Sequence, residues 1–238
     1  MNSQQKSDFS IIIATYNEEK YLPDCLAAIK NQNFKGSKEI IIIDSHSTDN
    51  TLSIAEKAGV KIFQTKKEGP GLAKRAGCLK AKADLVAFID ADITIPKNWL
   101  QTAYRNLENP KVVATGGPYL FRTCWKFFKP LNKALYLLIL KLFKLLPGGS
   151  IAFKKKSYFE AGGIPKGVTF GEDVYLCSRL SKVGKIMVDP KLSVVESGRR
   201  LSIKGLINGY YSYLKQTFKF FKSGNVEELK KIKMENIS

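Results

Sequence analysis

Along the first hundred residues, short aliphatic and β-branched runs alternate with stretches whose apolar positions recur at helical spacing. Ser10–Thr15, Glu39–Asp44, Val60–Gln64 and Leu85–Asp90 are largely apolar, as strands covered on both faces must be. Helical patterns fill the intervals, from about Lys20 to Gln32, Thr51 to Ala58 and Gly71 to Lys82. Strands separated by helices predict an α/β fold, a mostly parallel sheet with helices on both faces. The second half is less regular. Val112–Gly116 and Ser150–Phe153 read as strands, and Ser157-Tyr-Phe-Glu160 fits a capping box opening a short helix that Gly162-Gly163-Ile-Pro165 ends. Glu172 and Asp173 open a further helix to about Val183, followed by short strands at Lys185–Val188 and Leu192–Val195.

With 238 residues, 44% hydrophobic and 25% charged, the chain suits one large domain and lies far from disordered compositions. Its charge changes the picture: 39 Lys and Arg against 21 Asp and Glu give +18. Ten basic residues and no acid lie between Lys111 and Phe159, and six more, again with no acid, between Arg199 and Asn225. The excess is therefore local, and it predicts an anionic partner: nucleic acid, phospholipid headgroups or a phosphorylated substrate. Four scattered cysteines with no C-x-x-C pair, and a polar stretch from Met1 to Asp8 without a signal-peptide core, predict a cytoplasmic protein.

In open α/β sheets ligands bind beyond the carboxyl ends of the strands. Those ends carry Thr15-Tyr16-Asn17-Glu18, Asp44-Ser45-His46-Ser47 and Asp90-Ala91-Asp92, all at one predicted edge. Alternation along an extended chain turns Asp90 and Asp92 the same way, and paired carboxylates can hold a hard divalent cation. Solvated carboxylates at a strand end would account for D-x-D alone. The neighbouring acidic strand ends and a charge excess suited to phosphate favour the cation.

Together these segments resemble the family 2 glycosyltransferases of the GT-A fold, over about Phe9 to Arg200. Ile11–Glu19 is similar to that family's opening strand and nucleotide-contacting turn, with Thr15, Tyr16, Asn17 and Glu18 at the nucleotide. Ile40–Thr51 is similar to its second strand and turn, though Asp44-Ser45-His46 stands where the family commonly reads Asp-Asp-Gly. Gly71–Ala76 resembles the segment whose Arg, here Arg75, faces the nucleotide; Asp90-Ala-Asp92 matches the metal motif, and Gly171-Glu-Asp173 the acceptor-side base motif. The resemblance implies a nucleotide-sugar donor and Mg²⁺ or Mn²⁺ on Asp92, with Asp90 near the ribose or a metal-bound water. Thr15, Glu18 and Asp44 would contact base and ribose, and Arg75 with Arg199 or Arg200 would add positive charge. Asp173, or Glu172 in its place, would take the acceptor's proton during an in-line attack that inverts the anomeric carbon.

A Glu-Asp pair favours a hydroxyl acceptor, on a lipid-linked or glycan substrate, over a polyprenyl phosphate, whose attacking oxygen is already anionic. A sugar nucleotidyltransferase would open with a Gly-rich loop, which Tyr16-Asn17-Glu18 lacks. A non-catalytic basic module for membrane or nucleic acid is the remaining alternative.

The resemblance divides the chain into a flexible N-terminus (1–8), a transferase domain (9–200, with halves 9–116 and 117–200) and a C-terminal segment (201–238). Within these, 126–146 and Ser202–Lys222 read as basic amphipathic helices, with lysines on one side and Leu, Tyr or Phe on the other. That pattern suits the plane of an anionic membrane on its cytoplasmic face and offers no nucleic-acid motif. Packing of both apolar faces on the core is the competing explanation.

Overall fold

The computed structural model describes residues 7–66, 69–121, 137–166, 168, 171–196, 220 and 222. Among these, seven strands form one twisted sheet. In chain order they are β1 (Phe9–Thr15), β2 (Lys38–Asp44), β3 (Lys61–Gln64), β4 (Leu85–Ile89), β6 (Val112–Gly116), β8 (Ser150–Lys154) and β9 (Lys185–Val188). Their spatial order is β3-β2-β1-β4-β8-β6-β9. The first four run parallel, whereas β8 is antiparallel to both of its neighbours, so the sheet is mixed. Three short strands, β5 (Ile93–Thr94), β7 (Tyr119–Phe121) and β10 (Val194–Glu196), make a second sheet in the order β5-β10-β7.

The continuous apolar runs are explained by a core on each face. Ile12, Ile41, Ile43, Val86, Phe88 and Phe153 turn toward α3 (Pro70–Lys80), α6 (Lys155–Glu160) and α7 (Glu172–Val183). Ile11, Ile13, Ile42, Ala87 and Ile89 turn the other way, toward α1 (Leu22–Lys30), α2 (Thr51–Lys57) and α4 (Trp99–Glu108). The period of two along each strand therefore feeds two cores with one sequence. Phe153 is edge-on to Phe88 at 4.9 Å and stacked with Tyr158 at 5.4 Å, which locks β4, β8 and α6 together.

Several elements depart from the sequence-based expectations. Helix α4, absent from those expectations, buries Trp99, Leu100, Ala103 and Leu107, and the Trp99 indole N–H donates to the Leu192 carbonyl at 3.1 Å. The capping box at Ser157–Glu160 does not form. The chain passes straight from β8 into α6, its N-cap is Lys154 without a side-chain bond, and Ser157 is buried inside the helix. Pro190–Leu192 is a 3₁₀ turn, and the last strand starts at Val194.

Of the two basic amphipathic segments, only part is described. Residues 137–143 form helix α5. Lys144, with φ 51°, ends it, while the Lys144 and Leu145 N–H groups donate to the Lys141 and Leu140 carbonyls. This is the Schellman arrangement, with the usual apolar contact supplied by buried Leu140 and Leu145. Leu138 and Leu142 remain 60% and 71% exposed, beside exposed Lys141 and Lys144. The remainder of 126–146, nearly all of 201–222, and Arg199 and Arg200 lie outside the described residues. No helix among the described residues is long and apolar enough to cross a membrane.

Gly77 lets α3 lie flat on β1: a Cβ there would sit closer than 3.0 Å to Ile12 Cγ2, an atom fixed by the strand. Gly77→Ala is expected to destabilise the fold by about 1–3 kcal/mol through overpacking, read as a lower midpoint in urea or thermal unfolding.

Candidate active site

Parallel register brings the carboxyl ends of β1, β2 and β4 to one edge, with Thr15 opposite Asp44. The Thr15 hydroxyl donates to Asp44 Oδ1 at 2.9 Å, and the Ser47 hydroxyl and N–H donate to the same carboxylate at 2.6 and 2.9 Å. Asp44 is fully buried, so most of its acceptor capacity serves the turn that follows β2. That turn clasps the one after β1. Asn17 N–H donates to Ser47 Oγ, Thr48 N–H donates to Asn17 Oδ1, and Glu18 N–H donates to Thr51 Oγ1 at 2.7 Å. Asn17 and His46 carry φ of 54° and 59°, the left-handed region that favours glycine. His46 thus takes the backbone shape for which the resembling family commonly uses Gly.

Tyr16 and Asn17 are exposed at this edge, and Glu18 is buried beneath them. Cys25 Sγ lies 3.5 Å from the Asp90 carbonyl, and burial first, then the charges of Asp90, Asp92 and Glu18, push its pKa far up. Charges from the first and fourth strand ends thus act on one side chain of α1.

Antiparallel β8 begins where β4 ends, and this supplies the rest of the rim. Asp90 N–H donates to the Gly149 carbonyl at 2.9 Å, and Gly149 N–H donates to the Tyr119 hydroxyl at 2.8 Å. A Cβ on Gly149 would collide with the Asp90 carboxylate, and one on Gly148 would come within 2.8 Å of Asp173 Cβ. The two glycines allow a carboxylate to press on each side of the same backbone. Gly148 N–H points to Asp173 Oδ2 at 3.3 Å, so Asp90 and Asp173, distant in sequence, flank one dipeptide.

Asp173 and Glu172 lie in the first turn of α7, entered through Gly171 at φ 72°. They are not equivalent. Glu172 is buried and bonded to the Lys74 ammonium at 3.0 Å. Asp173 is partly exposed, accepting from Gly148 N–H and Val174 N–H. Burial first, and the neighbouring Glu172 second, raise the Asp173 carboxyl to about 6, against the pull of those N–H groups and Lys74.

The cation among these carboxylates was not expected from the sequence. Arg75 turns away from them and donates to the Ile164 carbonyl at 2.9 Å, tying α3 to the loop after α6. Lys74, one residue earlier, is 3% exposed and pairs with both Asp90 Oδ1 at 3.2 Å and Glu172 Oε1 at 3.0 Å. Burial opposes its charge, but Asp90 and Glu172 outweigh burial and hold the ammonium protonated above the usual lysine range. A helical position one residue from a plausible Arg carries no sequence signal of this kind.

Among the described residues, no group of three or more His, Cys, Asp or Glu side chains is arranged to hold a metal. The fitting candidates are Asp90 and Asp92. Asp90, its side chain 38% exposed, keeps Oδ2 outside the Lys74 pair, and Asp92 is 9% exposed two residues on. One or two carboxylates, with the remaining positions left to phosphate oxygens and water, is the donor set Mg²⁺ takes beside a diphosphate. Asp90 and Asp92 are the residues that would hold such an ion.

Known proteins resemble the chain in sequence and in fold. The chain is 36% identical over 102 residues to the poly(ribitol-phosphate) beta-N-acetylglucosaminyltransferase TarS of Staphylococcus aureus, covering 40% of this chain and 18% of TarS. It is 34% identical over 121 residues to a Methanococcus voltae dolichyl N-acetyl-alpha-D-glucosaminyl phosphate 3-beta-D-2,3-diacetamido-2,3-dideoxy-beta-D-glucuronosyltransferase, covering 45% and 38%. The matches thus span well under half the length of these relatives. A mannosyltransferase from Pyrobaculum calidifontis, solved with GDP-Man and Mn²⁺, superposes with a TM-score of 0.75 at 22% identity, covering 93% of this chain and 66% of that one. The GT-A layout expected from the motifs is therefore the fold observed. Residues 10–164 match the family model described as glycosyl transferase family 2, which is more than half of the chain, and the protein belongs to that family.

Proposed function

We propose that the chain transfers a hexose from a nucleoside-diphosphate sugar, with inversion, to a hydroxyl of a lipid-linked or membrane-associated acceptor. The observation that carries this reading is the shared rim: Asp90 at the end of β4 and the partly exposed Asp173 at the start of α7 flank the Gly148–Gly149 dipeptide, with Asp92 two residues after Asp90. The turns at 15–18 and 44–51, interlocked by hydrogen bonds, form a polar bed for base and ribose. Asp44 shapes that bed from below through Thr15 and Ser47. A divalent cation, Mg²⁺ or Mn²⁺, held by Asp90 and Asp92 would act as a Lewis acid on the departing diphosphate.

Asp173 is the better candidate for the base. Glu172 spends an oxygen on Lys74 and is buried, whereas Asp173 keeps part of its surface exposed, although burial is still enough to raise its carboxyl toward neutrality. A base matched to its working pH accepts a proton most effectively. The acceptor's hydroxyl proton would pass to Asp173 as its oxygen attacks the anomeric carbon and the diphosphate leaves on the opposite side. Arg199 and Arg200 are proposed to add charge at the diphosphate.

A peripheral seat on the cytoplasmic face of an anionic membrane is supported by the outer face of α5. There Leu138 and Leu142 stay exposed and Phe143 is 49% exposed, beside Lys141 and Lys144. Leu138 and Leu142 lie outside the buried core clusters of the described residues, and exposed leucines beside lysines suit a lipid surface, to which each lysine adds about 1 kcal/mol.

Three outcomes are expected. Calorimetry with nucleoside-diphosphate sugars and Mn²⁺ should register binding that Asp92→Ala weakens at least about tenfold; no binding to the wild type would defeat the reading. For an Asp whose folded pKa is raised, the active carboxylate is lost as pH falls through that value. kcat should therefore decline about tenfold per unit below roughly pH 6 and level off above it, and Asp173→Asn should cost about 10²–10⁴ in kcat and erase the limb. Near-normal turnover of Asp173→Asn would instead favour an already anionic phosphate acceptor. On flotation with anionic vesicles the protein should rise at low salt, less at high salt, and the double variant Leu138→Glu, Leu142→Glu should stay below. Equal behaviour of variant and wild type would remove α5 from the membrane.

A further inference from the structure

Lys74 is an unusual charge to find where it is. The other buried positions of α3 are Gly71, Ala73, Gly77 and Cys78, all small, yet the helix sends an ammonium inward at 3% exposure. It lies 5.9 Å from the centroid of the Phe88 ring, so its surroundings are partly apolar. Taking an ammonium out of water is costly, and a well-packed apolar side chain at such a site is frequently as stable or more so. Stability alone gives little reason for a lysine here.

Its two partners suggest another reason. Asp90 belongs to the end of β4 and Glu172 to the first turn of α7, and Lys74 reaches both from a third element. We propose that Lys74 is a positioning residue, a strap that fixes the acceptor-side turn carrying Asp173 at a set distance from the donor-side carboxylates. This rests on the glycosyl-transfer reading above. With Oδ1 held by Lys74, Asp90 has one orientation, in which Oδ2 lies against Gly149. With Glu172 held, the first turn of α7 cannot rotate Asp173 away from the Gly148 N–H.

The same ammonium acts on Asp173 electrostatically. Among the described residues, the groups that bear on that carboxyl include Glu172 and Cys177 from its own helix, Lys74 from α3, and the N–H groups of Gly148 and Val174. Lys74 brings a positive charge to this group and opposes the rise caused by burial and Glu172. Removing it should raise the Asp173 carboxyl further, a change that loss of packing would not produce.

The test compares Lys74→Met, which keeps the length of the stem, with Lys74→Arg, which keeps the charge, in the full chain. Thermal unfolding of each variant supplies the folded fraction. Lys74→Met should lower kcat about a hundredfold, the scale of a small misplacement of reacting groups, with the donor KM within about threefold of wild type. The acid limb of its pH–kcat profile should move upward by about one unit. Lys74→Arg should recover at least about tenfold of the lost kcat and return the limb toward its original position. The strap is overturned if wild type turns over while Lys74→Met matches it in kcat and limb. It is equally overturned if the loss in Lys74→Met follows its folded fraction, with the limb unmoved and no rescue by Arg. Absence of sugar transfer by folded, donor-binding wild type would instead sink the transfer reading and the strap with it.

Discussion

The direction of one strand governs the site. β4 has parallel β1 on one side and antiparallel β8 on the other, so the end of one strand meets the beginning of the next at the same edge. Had β8 run parallel, its start would lie at the opposite edge. Instead Gly149 receives the Asp90 N–H, Gly148 offers its own N–H to Asp173, and the second half of the chain closes over the ends of the first. The small sheet strengthens this closure, because β10 pairs both with β5, just after Asp92, and with β7, which carries Tyr119.

Carboxylates crowded at a rim must be satisfied or neutralised, and each here is handled differently. Asp44 is buried but takes three hydrogen bonds from Thr15 and Ser47. Asp90 and Glu172 share the Lys74 ammonium. Asp173 sits beside Glu172, and burial first, then that neighbouring charge, raise its carboxyl toward neutrality. A difference in hydrogen-bond and ion-pair partners of this kind separates acids that hold the structure from those suited to proton transfer. That Glu172 pairs with Lys74 while Asp173 accepts from the Gly148 N–H is what two adjacent letters in a sequence do not reveal.

Much of the architecture was legible in the chain. The strands of the first half follow from apolar runs, and the acids that end them follow from strand position. Helix α4 was overlooked although Trp99, Leu100, Ala103 and Leu107 have helical spacing. The capping box at Ser157 matched a pattern but not the context: the preceding strand already delivers the chain into α6, so no cap is needed. On α5 the helical wheel placed Leu138, Leu142, Leu145 and Leu146 together. A Schellman turn at Lys144 splits them, sending Leu145 and Leu146 into the core and leaving the first two in solvent. Periodicity has no way to show where a helix stops when its terminating residue is a lysine in the left-handed region rather than a glycine.

By itself, the sequence determined the α/β class, the edge at which polar residues collect, and the family, because local periodicity and short motifs are properties of neighbours along the chain. Only the tertiary structure decided that β8 runs antiparallel, that Arg75 serves Ile164 while Lys74 serves Asp90 and Glu172, and that Asp173 rather than Glu172 is accessible. Those outcomes depend on burial and on charges tens of residues apart. The free energy of an ionised side chain is set by what surrounds it in space, and that is fixed only when the strands have paired and the helices have packed.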